Sequence, residues 1–326
     1  MNGSERFEFY LSRVQELLDK SKTEPNPGWW LFTNGFRTPM FMLEALAKLY
    51  NKLHDKDTFE KLQDKFKQLE DVLGDIDYYN AYGEEYKNMA EVSPQAIEHF
   101  REKKEEHLQL LNDVLIEEKW IGSGENRVEK IRANLKDLDW LSEKEEMFAI
   151  RKFYVKAIES IKEFYASLNG AFTDMESQVH EIRRKLRWLS IYPQALQGCI
   201  QLKEQALAES HVEKYLIPEI VNSPFNKIPA PSNNEYILYL EKNYFLSLSW
   251  LIAELGKLKD AGLGLIAIAE ASKHNRDNKQ PRLETAPQLT GMPSVQDSMN
   301  NASEISKTFF AEGNLDKLVG EVEKRP

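Results

Sequence analysis

Apolar residues recur at helical spacing along most of the chain. Phe7, Leu11, Val14, Leu17 and Leu18 place an amphipathic helix over residues 4–20, and the prolines and glycine of Thr23 to Trp30 (TEPNPGWW) end it. A second helix starts near Pro39 and carries Met42, Leu43, Leu46, Leu49 and Tyr50. A third, from Asp57 to about Leu73, carries Phe59, Leu62, Phe66, Leu69 and Val72. Ser93 and Pro94 open a fourth as N-cap and first helical residue. Its charges of both signs, Lys103 to Glu106 among them, mark a solvated face. The chain breaks between Ile121 and Gly124. Further helices are predicted over 126–138, 143–168 and 173–192, with a stop or kink at Pro193. Residues 217–234 hold four prolines and are expected to form an irregular loop. Residues 236–270 read as an apolar helix, 272–301 as a polar, disordered linker and 304–322 as a short amphipathic helix. No strand alternation stands out, so the expected class is all-α.

Two places in this pattern echo each other. Leu73-Gly74-Asp75-Ile76-Asp77 and Leu255-Gly256-Lys257-Leu258-Lys259-Asp260 each set a glycine after leucine in an apolar helical run. Glycine there costs about 1 kcal/mol against alanine, so its repeated use points to a close helix approach or a local break. The expected architecture is two pseudo-repeated antiparallel helical-bundle halves, about 1–121 and 125–272. Residues 273–326 follow as a tail, a candidate site for recruiting a protein partner. Upstream of the second Leu-Gly, His180, Arg183, Arg184 and Arg187 fall at i, i+3, i+4 and i+7 on one helix face, while Ile182, Leu186 and Leu189 take another. Three guanidiniums and an imidazole repel one another unless something anionic lies opposite. Either acidic residues of a neighbouring helix or a phosphate-type ligand gripped by arginine forks would serve.

Charge and composition narrow the options. With 43 basic and 53 acidic residues the net charge is −10, which argues against general nucleic-acid binding but not against a local basic pocket. From Arg151 to Arg187 there are eight Lys/Arg against five acids. The single cysteine, Cys199, rules out an intramolecular disulfide or a multi-cysteine zinc site, and its apolar surroundings make it a small core residue. The charged N-terminal stretch carries no export signal. The most apolar stretch, 261–269, is too short to span a bilayer. A cytoplasmic protein without membrane contact is therefore expected. None of His99, His107, His180 and His211 has a glutamate three residues before it, as a ferritin-like di-metal site requires. With no phosphate loop, nucleophile elbow or HExxH helix either, no cofactor, metal or catalytic group is expected. Trp29-Trp30 reads as a plug closing the end of a bundle, or else as a ligand-stacking pair.

Taken together, the stripe and the Leu-Gly motif resemble the conserved histidine α-helical domain (CHAD) family. That family pairs two four-helix halves, each with a His-x-x-Arg helix followed by a Leu-Gly-x-x-x-Asp helix. The C-terminal half matches on both counts, through His180, Arg183, Arg184 and Arg187 and then Leu255 to Asp260. The N-terminal half keeps Leu73-Gly74, has Asp77 and Tyr78 where the family tends to have a base and then aspartate, and offers only Arg37 and Lys48 as bases of the first helix. The resemblance covers residues 5–272. It implies non-enzymatic binding of inorganic polyphosphate or a related polyanion, with His180, Arg183, Arg184 and Arg187 on phosphates, Lys257 and Lys259 as further contacts, and Asp260 holding an arginine. The alternative is a helical scaffold that kept the fold, lost the anion site and recruits a protein partner. An enzyme acting on a phosphorylated compound is a third option, for which no nucleophile or metal constellation is visible.

Overall fold

Helix caps are written plainly into the sequence. Asn2, Asn26, Asp55, Ser93, Asn126 and Ser294 each accept a backbone N–H of the first turn they precede. The computed structural model describes residues 2–122, 124, 126–204, 208–231, 233–273, 289 and 291–325, with no side chains for 272 and 273. The protein is mostly α-helical. It forms two units, Met1–Ser142 and Glu143–Pro326.

The N-terminal unit comprises α1 (Gly3–Ser21), α2 (Pro27–Thr33), α3 (Arg37–Leu53), α4 (Lys56–Tyr86), α5 (Pro94–Glu117) and α6 (Arg127–Lys136). α3 packs on α1 and along α4, which in turn packs on α5. The unit ends later than the expected boundary near residue 121, because Trp140 closes its aromatic core. Its ring lies 6.2 Å from Phe7, 5.3 Å from Tyr50 and 5.8 Å from Phe59, centroid to centroid. Arg6, wholly buried, donates to the Tyr50 hydroxyl at 2.7 Å in the same core. Trp29 does not serve as a plug: it is 37% exposed beneath the Lys104 ammonium, with Trp30 half-buried and Leu31 the buried side chain of α2. α2 instead docks through Asn112, whose Oδ1 accepts from the Gly28 N–H and whose Nδ2 donates to Asn26.

The C-terminal unit contains α7 (Glu143–Ser167), a π-helical turn (Met175–His180) running into α8 (Glu181–Ala195), β1 (Ile200–Lys203), the single turn α9 (Pro218–Val221), β2 (Tyr236–Glu241), α10 (Lys242–Lys273), α11 (Val295–Ala311) and β3 (Val319–Lys324). Three strands correct the expectation of none. β1 runs parallel to β2, with Ile200 opposite Leu238, and β3 runs antiparallel on the other side, with Val322 opposite Leu238. The run Tyr236–Glu241, expected to start the long apolar helix, is thus the central strand. Its outer neighbours are covered: Gln201 Nε2 donates to the Pro229 carbonyl beside β1, and Arg151 Nε donates to the Gly320 carbonyl of β3.

The expected tail is also corrected. The stretch expected to be a linker lies outside the described residues from 274 to 288. Beyond it α11 begins at Val295, nine residues before the expected helix, and buries Val295, Met299, Ala302 and Phe309. α11 lies along α10, which is rich in apolar residues and mostly buried, with Lys257, Asp260 and Glu270 exposed. Pro193 does not stop α8, which continues to Ala195. Proline leaves the Leu189 carbonyl without its helical N–H, and the buried Tyr154 hydroxyl donates to that oxygen at 3.1 Å. Cys199 is buried, as its apolar surroundings imply.

Candidate functional site

The stripe divides once folded. Arg183 turns toward α10, where its Nε donates to the Ile252 carbonyl at 3.1 Å and its guanidinium lies across Gly256. A Cβ on Gly256 would stand 3.0 Å from that Nε, so the glycine marks the passage of an arginine rather than a break in the helix. Burial pulls Arg183 below its ordinary pKa, and the Asp260 charge opposes this by stabilising the cation. Asp260 thus acts on Arg183 through its charge, while its carboxylate pairs with Lys259.

Every other stripe base with a described pairing meets a carboxylate. His180 Nδ1 lies 2.8 Å from Glu176 at the end of the π-helical turn. The hydrogen bond from His180 holds Glu176 below the usual carboxylate range against its burial, with Lys259 adding to the effect. Arg184 and Lys185 share Glu181 at 2.6 and 3.3 Å. Lys257 pairs with Glu254 at 2.6 Å, and Lys259 with Asp260 at 2.5 Å. Arg187 sits exposed one turn beyond Arg183 and engages other groups as well. Glu176, Glu181, Glu254 and Asp260 thus interleave with the bases. Among the described residues no cluster of His, Cys, Asp and Glu could hold a metal ion, and no helix is long and apolar enough to cross a membrane. A shallow surface depression on α5, among Glu98, Arg101, Glu102, Glu105 and Glu106, involves no residue of the stripe.

The same local arrangement recurs in the N-terminal unit. Arg37 of α3 lies across Gly74 of α4, with its Nη2 2.9 Å from where a Cβ would be. It donates to Glu70 at 2.9 Å and to Asp77 at 2.7 Å. Glu70 and Ile252 each stand four residues before their glycine. With Arg37 aligned to Arg183, Phe36, Met40, Leu43, Leu46, Ala47 and Tyr50 are buried, and so are Ile182, Leu186, Leu189, Tyr192, Pro193 and Leu196. The charges in this alignment are exchanged. Asp75 and Asp77 stand where the other unit has Lys257 and Lys259, Thr38 and Phe41 replace Arg184 and Arg187, and Asn34 replaces His180. The sequence motif located both glycines. The acidic partners it did not include stand at i−4 or i−3 of His180, Arg184 and Lys257 and, for Arg37, on the neighbouring α4.

This geometry admits a sharp test. Gly256→Ala should destabilise the C-terminal unit, because Arg183 must give way. In an Arg183→Ala background the same substitution should stabilise it by about 1 kcal/mol, the ordinary helical gain over glycine. Chemical denaturation of the four proteins measures the cycle, and an equal effect of Gly256→Ala in both backgrounds would refute the arginine-over-glycine account.

Compared with known proteins, the chain matches no family model, no curated protein and no solved structure.

Proposed function

We propose that the protein is a non-enzymatic helical scaffold with a CHAD-like repeated core that has lost the anion site and works through protein partners in the cytoplasm. The observation that carries this reading is the engagement of the basic stripe. Arg183 is taken up in helix packing, and His180, Arg184, Lys257 and Lys259 face Glu176, Glu181, Glu254 and Asp260. The charge exchange supports it as well. A polyanion bound between two halves needs bases on both, yet Asp75 and Asp77 occupy the positions matching Lys257 and Lys259. The recurrence of the arginine-over-glycine packing, with matching burial on the arginine helices, supports the repeated core. Partner recruitment through a free tail loses its basis for residues 295–311 and 319–324, which form α11 and β3 of the C-terminal unit.

Polyphosphate or polyanion binding is the second reading, and one observation favours it. The Arg184 and Lys257 side chains are 56% and 71% exposed, and their partners sit three residues away on the same helix. Such exposed pairs contribute only about 0.3–0.5 kcal/mol, so a strong polyanion would compete for them. Calorimetric titration with long-chain polyphosphate at low and at moderate salt separates the two readings. The scaffold reading expects no saturable binding. Saturable binding that weakens steeply with salt and disappears in Arg184→Ala/Arg187→Ala would establish the polyanion site instead.

A further inference from the structure

We propose that the packing of α3 on α4 in the N-terminal unit is proton-operated: the Glu44 carboxyl seats in that interface when it carries a proton and loosens the interface when it gives the proton up. Glu44 is 5% exposed and lies between Leu43 and Ala45, both fully buried. The charged groups around it come from two helices. Lys48 lies one turn along α3, and α4 presents Lys67, Glu70 and Asp71. Of the nearby bases, Lys67 bonds Asp71 and Arg37 bonds Glu70 and Asp77, while Lys48 has interactions of its own. From α1, the charged side chain that reaches α3 is Arg6, at Tyr50. A Glu44 carboxylate would sit largely out of water, near two further carboxylates as well as Lys48 and Lys67.

Burial first, and Glu70 second, push the Glu44 carboxyl from its ordinary 4.5 to about 7. The same acidic run continues across α4. Asp75 is also raised, chiefly by burial with Asp71 adding to it, and it meets His107 of α5 at 3.5 Å. The residue matching Glu44 in the C-terminal unit is Ser190, whose hydroxyl donates to the Arg187 carbonyl. That type of packing therefore does not require a carboxyl. Because the folded-state value lies above the unfolded one, stability from the protonated group is fully present below about 4.5 and is lost as pH rises through about 7.

Hydrogen exchange of the full chain at pH 6 and pH 8, corrected for intrinsic exchange rates, tests this. Protection of α3 and α4 amides should fall about tenfold between the two conditions, since each unit of pH between the unfolded and folded pKa values is worth up to tenfold. Amides of α8 and α10 serve as the internal reference and should hold steady. Glu44→Gln should remove the fall, and Glu44→Ser, the residue found at the matching position, provides a second variant if the amide packs poorly. Flat protection in the wild type, or an undiminished fall in both variants, would overturn the proposal.

Discussion

Ending the chain at residue 288 should unfold the C-terminal unit and leave the N-terminal unit intact. The deleted segment contributes Val295, Met299, Phe309, Leu315 and Leu318, all at most 4% exposed. At about 1.5–3 kcal/mol for each such side chain, their loss alone is on the order of 10 kcal/mol, comparable to the whole stability of a typical domain. Polar anchors go with them. Glu312 accepts from Tyr215 and Lys214, Lys317 donates to Glu209 beside Tyr244, and Phe310 stacks on Tyr165 at 4.1 Å. Removing β3 also bares one side of β2, whose N–H and C=O groups then invite pairing with other chains. Limited proteolysis should yield a resistant fragment ending near residue 142 and rapid loss of the rest. A truncated protein that stays monomeric and resists cleavage throughout would show that α11 and β3 are dispensable.

The second large effect is expected at the turn from α8 into β1. Gln197 and Gly198 both have positive φ, 50° and 90°, and a Cβ on Gly198 would lie 2.5 Å from the Ala230 carbonyl oxygen. Gly198→Ala therefore adds a backbone clash to a left-handed conformation that by itself costs about 1–2 kcal/mol for other residues. A total of about 3 kcal/mol or more lowers the melting temperature of the unit by roughly 10 °C, at about 2–4 °C per kcal/mol for this size. Gly313→Ala separates the two contributions. Its φ is 69° but the nearest atom is 3.5 Å away, so only the conformational cost applies. Equal shifts for the two variants in differential scanning calorimetry would mean that the segment over Gly198 yields freely.

How far the sequence discloses this structure depends on how strongly each segment repeats its period. The helices of the N-terminal unit bury one face and are legible from it. Tyr236–Glu241 is not, since five apolar residues in a row fit a buried strand and a buried helix equally well, and the long apolar stretch after them favours the helical reading. β3, VGEVEK, carries three charges and little apolar signal, and its Glu321, Glu323 and Lys324 are exposed. The start of α11 was legible in principle. Ser294 and Asp297 form a helix-start pair, with the Ser294 hydroxyl accepting the Asp297 N–H, but the Asn- and Gln-rich composition around them suggests a linker. At the candidate site, both glycines follow from the motif. The neutralising Glu176, Glu181 and Glu254 stand at i−4 or i−3 of their bases and are local, whereas the burial of Glu44 depends on which helix lies alongside, and no local pattern states that.

The position of β3 also orders events during synthesis. The N-terminal unit has all its parts once residue 142 is made, and its contacts join helices close in sequence. The C-terminal unit cannot complete its sheet until β3 arrives, after 51 further residues beyond the end of α10 at Lys273. At about 5–20 residues per second, α10 waits for about 2–8 s until α11 ends at Ala311, and the sheet for about 3–10 s until β3 is made. A helix so rich in apolar residues is then the chain's most exposed liability, which makes the interval between Lys273 and Lys324 the time when this protein most needs a chaperone.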